Sequence, residues 1–140
     1  MNQSTLKNQV VNDHQFYRDK LKNFEGVKLN GHLDGIDLFY YDIPIEIKET
    51  RQSEKYQKYR KFLVKKKDLA SKFILFIVNK RYIYAVQTEF VELLSNINDV
   101  NGNYIGFYLS KVKEIALFKG RNIFQILKQI KKEQDCLKEF

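Results

Sequence analysis

A single cysteine, Cys136, leaves no partner for an internal disulfide and excludes a cysteine-based zinc cluster. Histidine is almost as scarce. His14 and His32 lie far apart in sequence and make no metal-ligand spacing. No apolar run is long enough to span a bilayer, which takes about 20 residues. The longest, FILFIV, covers only Phe73–Val78. The N-terminal stretch MNQSTLKNQVVNDHQ is too polar for a signal peptide, so a soluble, cytoplasmic protein with no membrane partner is expected. Repeats, linkers and low-complexity segments are missing too. A chain of 140 residues can fill one core and not two, so one domain over residues 1–140 is expected. Acidic residues are the minority: 17 Asp and Glu against 25 Lys and Arg give a net charge of +8. A polyanionic partner is the first expectation, nucleic acid ahead of an anionic membrane, with a merely solvated basic surface as the alternative. Abundant Asn, Ile, Lys and Tyr point to an AT-rich genome, bacterial, phage or other.

The chain does contain a succession of periodic segments. Leu6, Val10, Tyr17, Leu21 and Phe24 share one face of a helix over residues 4–24, which Gly26 closes. Residues 27–33 read as a weak strand. Residues 37–40 and 43–48 read as a hairpin turning at Tyr41-Asp42, with the lone proline, Pro44, near the start of its second strand. Residues 51–69 read as a helix capped by Ser53. FILFIV has the composition of a strand buried on both faces, and Asn79-Lys80 turns it into RYIYAV. A short helix over residues 89–96, a loop NDVNGN at 98–103 and extended segments at 104–109 and 112–118 follow. An amphipathic helix over residues 122–133 carries Ile123, Ile126, Leu127 and Ile130 on one face. One α/β domain is the economical fold class.

The densest chemistry lies in Gly31–Glu49, GHLDGIDLFYYDIPIEIKE, with three aspartates and a Glu-x-Lys. In PIEIK, Ile45 and Ile47 point to one face of the strand and Glu46 and Lys48 to the other, about 7 Å apart. A two-residue turn at Tyr41-Asp42 pairs Tyr40 with Ile43, Phe39 with Pro44 and Asp37 with Glu46. Directly opposed residues have Cβ atoms roughly 5 Å apart, so two carboxylates and an ammonium crowd one patch. Opposed like charges are destabilising unless something neutralises them. A divalent cation does so, and carboxylate oxygens with a backbone carbonyl and waters are the set Mg²⁺ prefers. Asp34 is the alternative ligand. In the same register it falls opposite Glu49 on the other face, whereas a three-residue loop brings it to the Glu46 face.

Asp37 followed by Glu46-Ile47-Lys48 resembles the core motif of the PD-(D/E)XK nuclease superfamily. GIDLF followed by IEIK is similar to its restriction-type and Holliday-junction-resolvase branches. The resemblance covers roughly residues 5–80, and no proline precedes either candidate aspartate. It implies a restriction-endonuclease-like core, a mixed β-sheet flanked by helices in α-β-β-β-α-β order. That core would occupy about residues 5–86, with residues 87–140 as a C-terminal elaboration. It implies a metal-dependent DNA endonuclease. Asp37 and Glu46 would hold Mg²⁺, with the Ile47 backbone carbonyl as a third ligand and Mn²⁺ as a substitute. Lys48 would position the attacking water or stabilise charge on a phosphorane-like state. A compact junction resolvase, restriction enzyme or homing endonuclease fits the size, and cutting both strands would require a homodimer or higher oligomer.

The segment after the motif is strongly basic. Residues 51–67 hold eight Lys or Arg and one Glu. On a helix, Lys58, Lys61 and Lys65 form one stripe, and Tyr56, Tyr59 and Leu63 form another that packs on the sheet. Arg51, Lys55, Lys58, Lys61 and Lys65 are the candidate contacts to a phosphate backbone, giving affinity without base specificity. Lys128, Lys131 and Lys132 add a second basic patch. Two other readings stay open: a non-catalytic nucleic-acid-binding protein that uses the basic segment, and an interaction protein whose acidic hairpin meets a partner.

Overall fold

The structure is a computed structural model that describes residues 15–31, 35–50, 61–94, 99–101 and 104–138. It is a mixed α/β fold. A six-stranded sheet is flanked on one face by helices α1 (residues 15–21) and α4 (Ile123–Lys138). Its other face carries a three-stranded sheet with the short helices α2 (Thr88–Leu94) and α3 (Leu109–Ile115). The large sheet orders as β1 (Val27–Leu29), β2 (Leu38–Tyr40), β3 (Ile43–Thr50), β5 (Phe73–Val78), β6 (Tyr82–Gln87) and β9 (Phe118–Gly120). The small one orders as β4 (Lys61–Lys65), β8 (Tyr104–Tyr108) and β7 (Asp99–Asn101). Among the described residues no helix is long and apolar enough to cross a membrane.

Burial on both faces explains the FILFIV run. Every residue of β5 is buried. Phe73, Leu75 and Ile77 face the α1/α4 layer, while Ile74, Phe76 and Val78 face the small sheet, as period-2 alternation requires. β3 runs parallel to β5, Glu46 beside Ile74 and Lys48 beside Phe76. The other contacts within the large sheet are antiparallel. Both tight turns place non-glycine residues at positive φ: Tyr41 (45°) and Asp42 (69°), then Asn79 and Lys80 (55° each). Two successive left-handed residues make the two-residue hairpin turn whose twist matches the strands.

Several expected elements change. The helix expected over residues 51–69 is not a helix where the structure describes it. Residues 61–65 form β4, and Lys66–Ala70 form a single 3₁₀ turn. Phe62 and Val64 are buried while Leu63 between them is 58% exposed, so Leu63 does not pack on the sheet as expected, and Tyr56 and Tyr59 fall outside the described residues. The alternation is that of a strand, and β8 supplies the pairing partner. Lys61 and Lys65 therefore lie on a strand, not on one helical stripe with Lys58. Arg51, Lys55 and Lys58 fall outside the described residues. Within the expected strand at 112–118, residues through Ile115 are helical. Leu109 and Val112 are buried one helical turn apart, and α3 uses that spacing to cover the sheet. The NDVNGN loop contains β7, paired with β8. The part after residue 86 contributes one strand to the large sheet, two to the small sheet and the long helix α4, whose Ile123, Ile126, Leu127 and Ile130 join the hydrophobic core.

Candidate functional site: a buried carboxylate pair and its lysine

The Tyr41-Asp42 turn sets the register on which the site depends. Tyr40 pairs with Ile43, Phe39 with Pro44 and Leu38 with Ile45, and Asp37, the residue just before this ladder, has its carboxyl hydrogen-bonded to that of Glu46. Asp37 sits one residue before β2 and is held at three points. Its N–H donates to the Ile45 carbonyl at 2.9 Å, and its own carbonyl accepts from Asn30 N–H at 2.9 Å. Its Oδ2 accepts the Ile47 N–H at 2.6 Å. Asn30 also clamps the approach to Asp37, its Nδ2 donating to the Ile36 carbonyl at 2.8 Å.

Asp37 and Glu46 are each only 2% exposed. Burial, a hydrogen bond to the Asp37 carboxyl and that carboxyl's charge push Glu46 up to about 9, against the opposing pull of Lys48. The carboxyl pair thus retains a proton at neutral pH. Among the described residues, Glu46 Oε2 is buried without a hydrogen-bond partner. A buried, unsatisfied carboxyl oxygen costs free energy and marks a place where a further group belongs.

Lys48 shares the Glu46 face, and its Nζ meets Asp68 Oδ2 at 2.8 Å. Sequence reasoning missed Asp68, because the helix read over residues 51–69 gave it no reason to approach β3. The 3₁₀ turn instead carries it beneath Lys48, where it is 2% exposed. The same Oδ2 accepts the Lys65 N–H at 2.8 Å, and the Asp68 carbonyl accepts from Ser71 Oγ at 2.6 Å. Thr88 Oγ1 in turn donates to the Ser71 carbonyl at 2.7 Å. The lysine is thereby tied through Asp68 and Ser71 to the start of α2. A local signal was present: Asp followed three residues later by Ser, at the end of a basic run, is the composition of a turn rather than a helix interior.

Gly35 explains how the two halves of the site meet. It adopts φ +83°, and a Cβ there would overlap the Lys67 carbonyl oxygen, one residue before Asp68. Only glycine lets the segment before Asp37 close on the 3₁₀ turn. Gly35→Ala is expected to cost at least about 2 kcal/mol, from left-handed strain plus a backbone clash. Urea denaturation checks this, and an unchanged midpoint would refute the close approach.

The donor set is suited to an oxygen-preferring cation. Two carboxylates are adjacent, and one has an unsatisfied oxygen. The Ile47 N–H points toward Asp37. In an extended strand the carbonyl of the same residue points to the same side, so the Ile47 carbonyl is directed there too. Among the described residues no cluster of three or more His, Cys, Asp or Glu could hold an ion. An ion would therefore rely on two carboxylates, a carbonyl and water, the mixture Mg²⁺ accepts. Asp34, the alternative ligand, lies outside the described residues, as does His32. No family model matches the chain, and neither a curated protein nor a solved structure matches it.

Proposed function

We propose that the chain is a Mg²⁺-dependent DNA endonuclease of the PD-(D/E)XK type, hydrolysing phosphodiester bonds at Asp37, Glu46 and Lys48. The observation that carries the reading is a buried carboxyl pair: the side chains of Asp37 and Glu46 meet by a hydrogen bond, and Lys48 follows on the Glu46 face. Two further features support it. Glu46 Oε2 has no hydrogen-bond partner among the described residues. The antiparallel strands β1, β2 and β3 are followed by β5 parallel to β3, which suits the strand order of a restriction-endonuclease-like core.

Asp37, Glu46 and the Ile47 carbonyl would hold Mg²⁺, or Mn²⁺ in its place. When bound, the ion supplies a more acidic water and offsets negative charge on the phosphate. The protein's own groups do the rest. Asp37 is fixed by its backbone bonds and orients the Ile47 peptide. Lys48, 23% exposed at its side chain, links the buried pair to solvent and presents an ammonium to the phosphate oxygens. Asp68 holds that ammonium in place. Cutting both strands with one such site per chain calls for two copies.

A non-catalytic nucleic-acid-binding protein is the second reading. The observation favouring it is the 2.8 Å Lys48–Asp68 ion pair, which already neutralises the lysine within the fold. One experiment separates the two: incubation with supercoiled plasmid and a synthetic four-way junction in Mg²⁺, Mn²⁺ or EDTA. Cleavage with either metal, none in EDTA, and a loss of at least about 100-fold in a folded Lys48→Ala variant are expected. DNA binding without cleavage in every condition would replace the nuclease reading with the second one.

A further inference from the structure

The exposed stripe of α4 is basic, but its buried stripe contains one polar residue. Ile123, Ile126, Leu127 and Ile130 are buried at helical spacing, and the next position in that series is Gln134, 6% exposed. Among the described residues its Nε2 is buried without a hydrogen-bond partner. An apolar residue would satisfy packing there, whereas an unpaired amide donor costs about 1–3 kcal/mol. The cost is met if something outside the fold accepts from it.

Two adjoining cavities, of about 280 and 250 Å³, are both lined by Gln134 and Lys72. Each holds several times the roughly 30 Å³ that a water takes up in the liquid. The larger also receives Lys131 and Lys138 from α4, and Asp42 from the hairpin turn. With Lys131 paired to Asp135, Lys72 and Lys138 stand against Asp42, and the lining keeps a net positive charge. Lys131 already has a partner, Asp135 Oδ1 at 2.7 Å, and stands over the Tyr41 ring at 5.3 Å from its centroid. Lys72 is fixed by its backbone: its N–H donates to the Pro44 carbonyl at 2.7 Å, and its carbonyl accepts from Thr88 N–H at 3.1 Å. Its backbone is therefore held beside the two cavities, and its side chain is exposed.

A buried amide donor in the larger cavity, whose lysines outnumber its one acidic residue, calls for a ligand with acceptor oxygens and negative charge, while Glu89 lines the smaller cavity. We infer that this pocket, between the hairpin turn and the C-terminal half of α4, binds a phosphate group, one oxygen accepting from Gln134 Nε2 and the charge met by Lys72, Lys131 and Lys138. The inference is independent of the carboxylate pair, since none of those residues lines the pocket. The phosphate has two possible sources, a small free anion or the diester backbone of a nucleic acid.

The test follows the Gln134 side-chain amide by ¹H–¹⁵N NMR, with the signal assigned by its loss in Gln134→Leu. Inorganic phosphate, an oligothymidylate and sodium chloride of matched ionic strength are titrated separately. A saturable shift with phosphate, or with the oligothymidylate alone, supports the pocket and identifies the source. A Lys72→Gln/Lys138→Gln double variant changes two exposed side chains and should keep the backbone spectrum. It is expected to weaken the binding by at least about tenfold. No saturable shift with either anion, an equal shift with chloride, or full binding by the double variant would each overturn the inference.

Discussion

Glu46→Gln is expected to stabilise the metal-free protein at alkaline pH and to abolish the proposed response to Mg²⁺. The sign follows from the carboxyl pair. The Glu46 carboxyl has an ordinary value of 4.5, and burial beside Asp37 raises it to about 9 in the folded protein. Between those values the folded chain keeps a proton that the unfolded chain has released. Raising the pH therefore favours unfolding. The stabilisation is complete below about 4.5 and is lost as pH rises through about 9. A single proton gives a slope of up to about 1.4 kcal/mol per pH unit within that window. Glutamine keeps the shape and can still donate to Asp37, but it has no proton to lose.

Thermal melts of both proteins from pH 5.5 to 8.5 in EDTA isolate the contribution of the carboxyl pair, because the two chains differ only at residue 46. The difference should grow with pH in favour of the variant. Mg²⁺ should then raise the wild-type midpoint at pH 8.5 more than at pH 6, since binding must displace the retained proton. The variant should not respond, and it should not cleave. A pH-independent difference between the two would show that Glu46 is not the protonated member of the pair.

Asp68→Ala has the largest expected structural effect. It removes the acceptor for two donors, the Lys48 ammonium and the Lys65 N–H, both at 2.8 Å from the same oxygen. Breaking a buried ion pair from one side costs about 3–5 kcal/mol, mostly because the remaining charge is left uncompensated. Asp68→Asn keeps the acceptor for Lys65 and should cost roughly half as much. The two variants also separate positioning from folding. In folded Asp68→Asn protein, the cleavage rate at saturating DNA should fall on the order of 10–100-fold, with little change in DNA affinity. An unaltered rate would mean that Lys48 does not depend on Asp68 for its placement.

The parts of this fold that were legible in the sequence are those decided by near neighbours. The hairpin is the clearest. A two-residue turn and period-2 alternation predict a register that buries Ile43, Ile45 and Ile47, and β2 and β3 pair in it from Tyr40–Ile43 to Leu38–Ile45, whereas the choice between Asp37 and Asp34 hung on the length of the turn. FILFIV and the apolar stripe of α4 were equally readable, each carrying its own periodicity. The segment KFLVK was not. Its charges fit a helical stripe as well as a strand, and the choice was made by β8, some forty residues later in the chain, through five paired positions. LSKVKEI was misjudged for the same reason, because it becomes α3 only where β8 ends and Leu109 and Val112 can cover the sheet.

By itself, then, the sequence determined the hairpin, the shared face of Glu46 and Lys48 and the basic balance of the chain, because a tight turn and a two-residue repeat are local physics. Tertiary structure decided what surrounds them. It turned the expected helix into β4 and a 3₁₀ turn, brought Asp68 under Lys48, and set Gln134 with Lys72 beside the hairpin. Those contacts join residues that no sequence period connects, and burying the two apolar faces of one sheet is what brings them together.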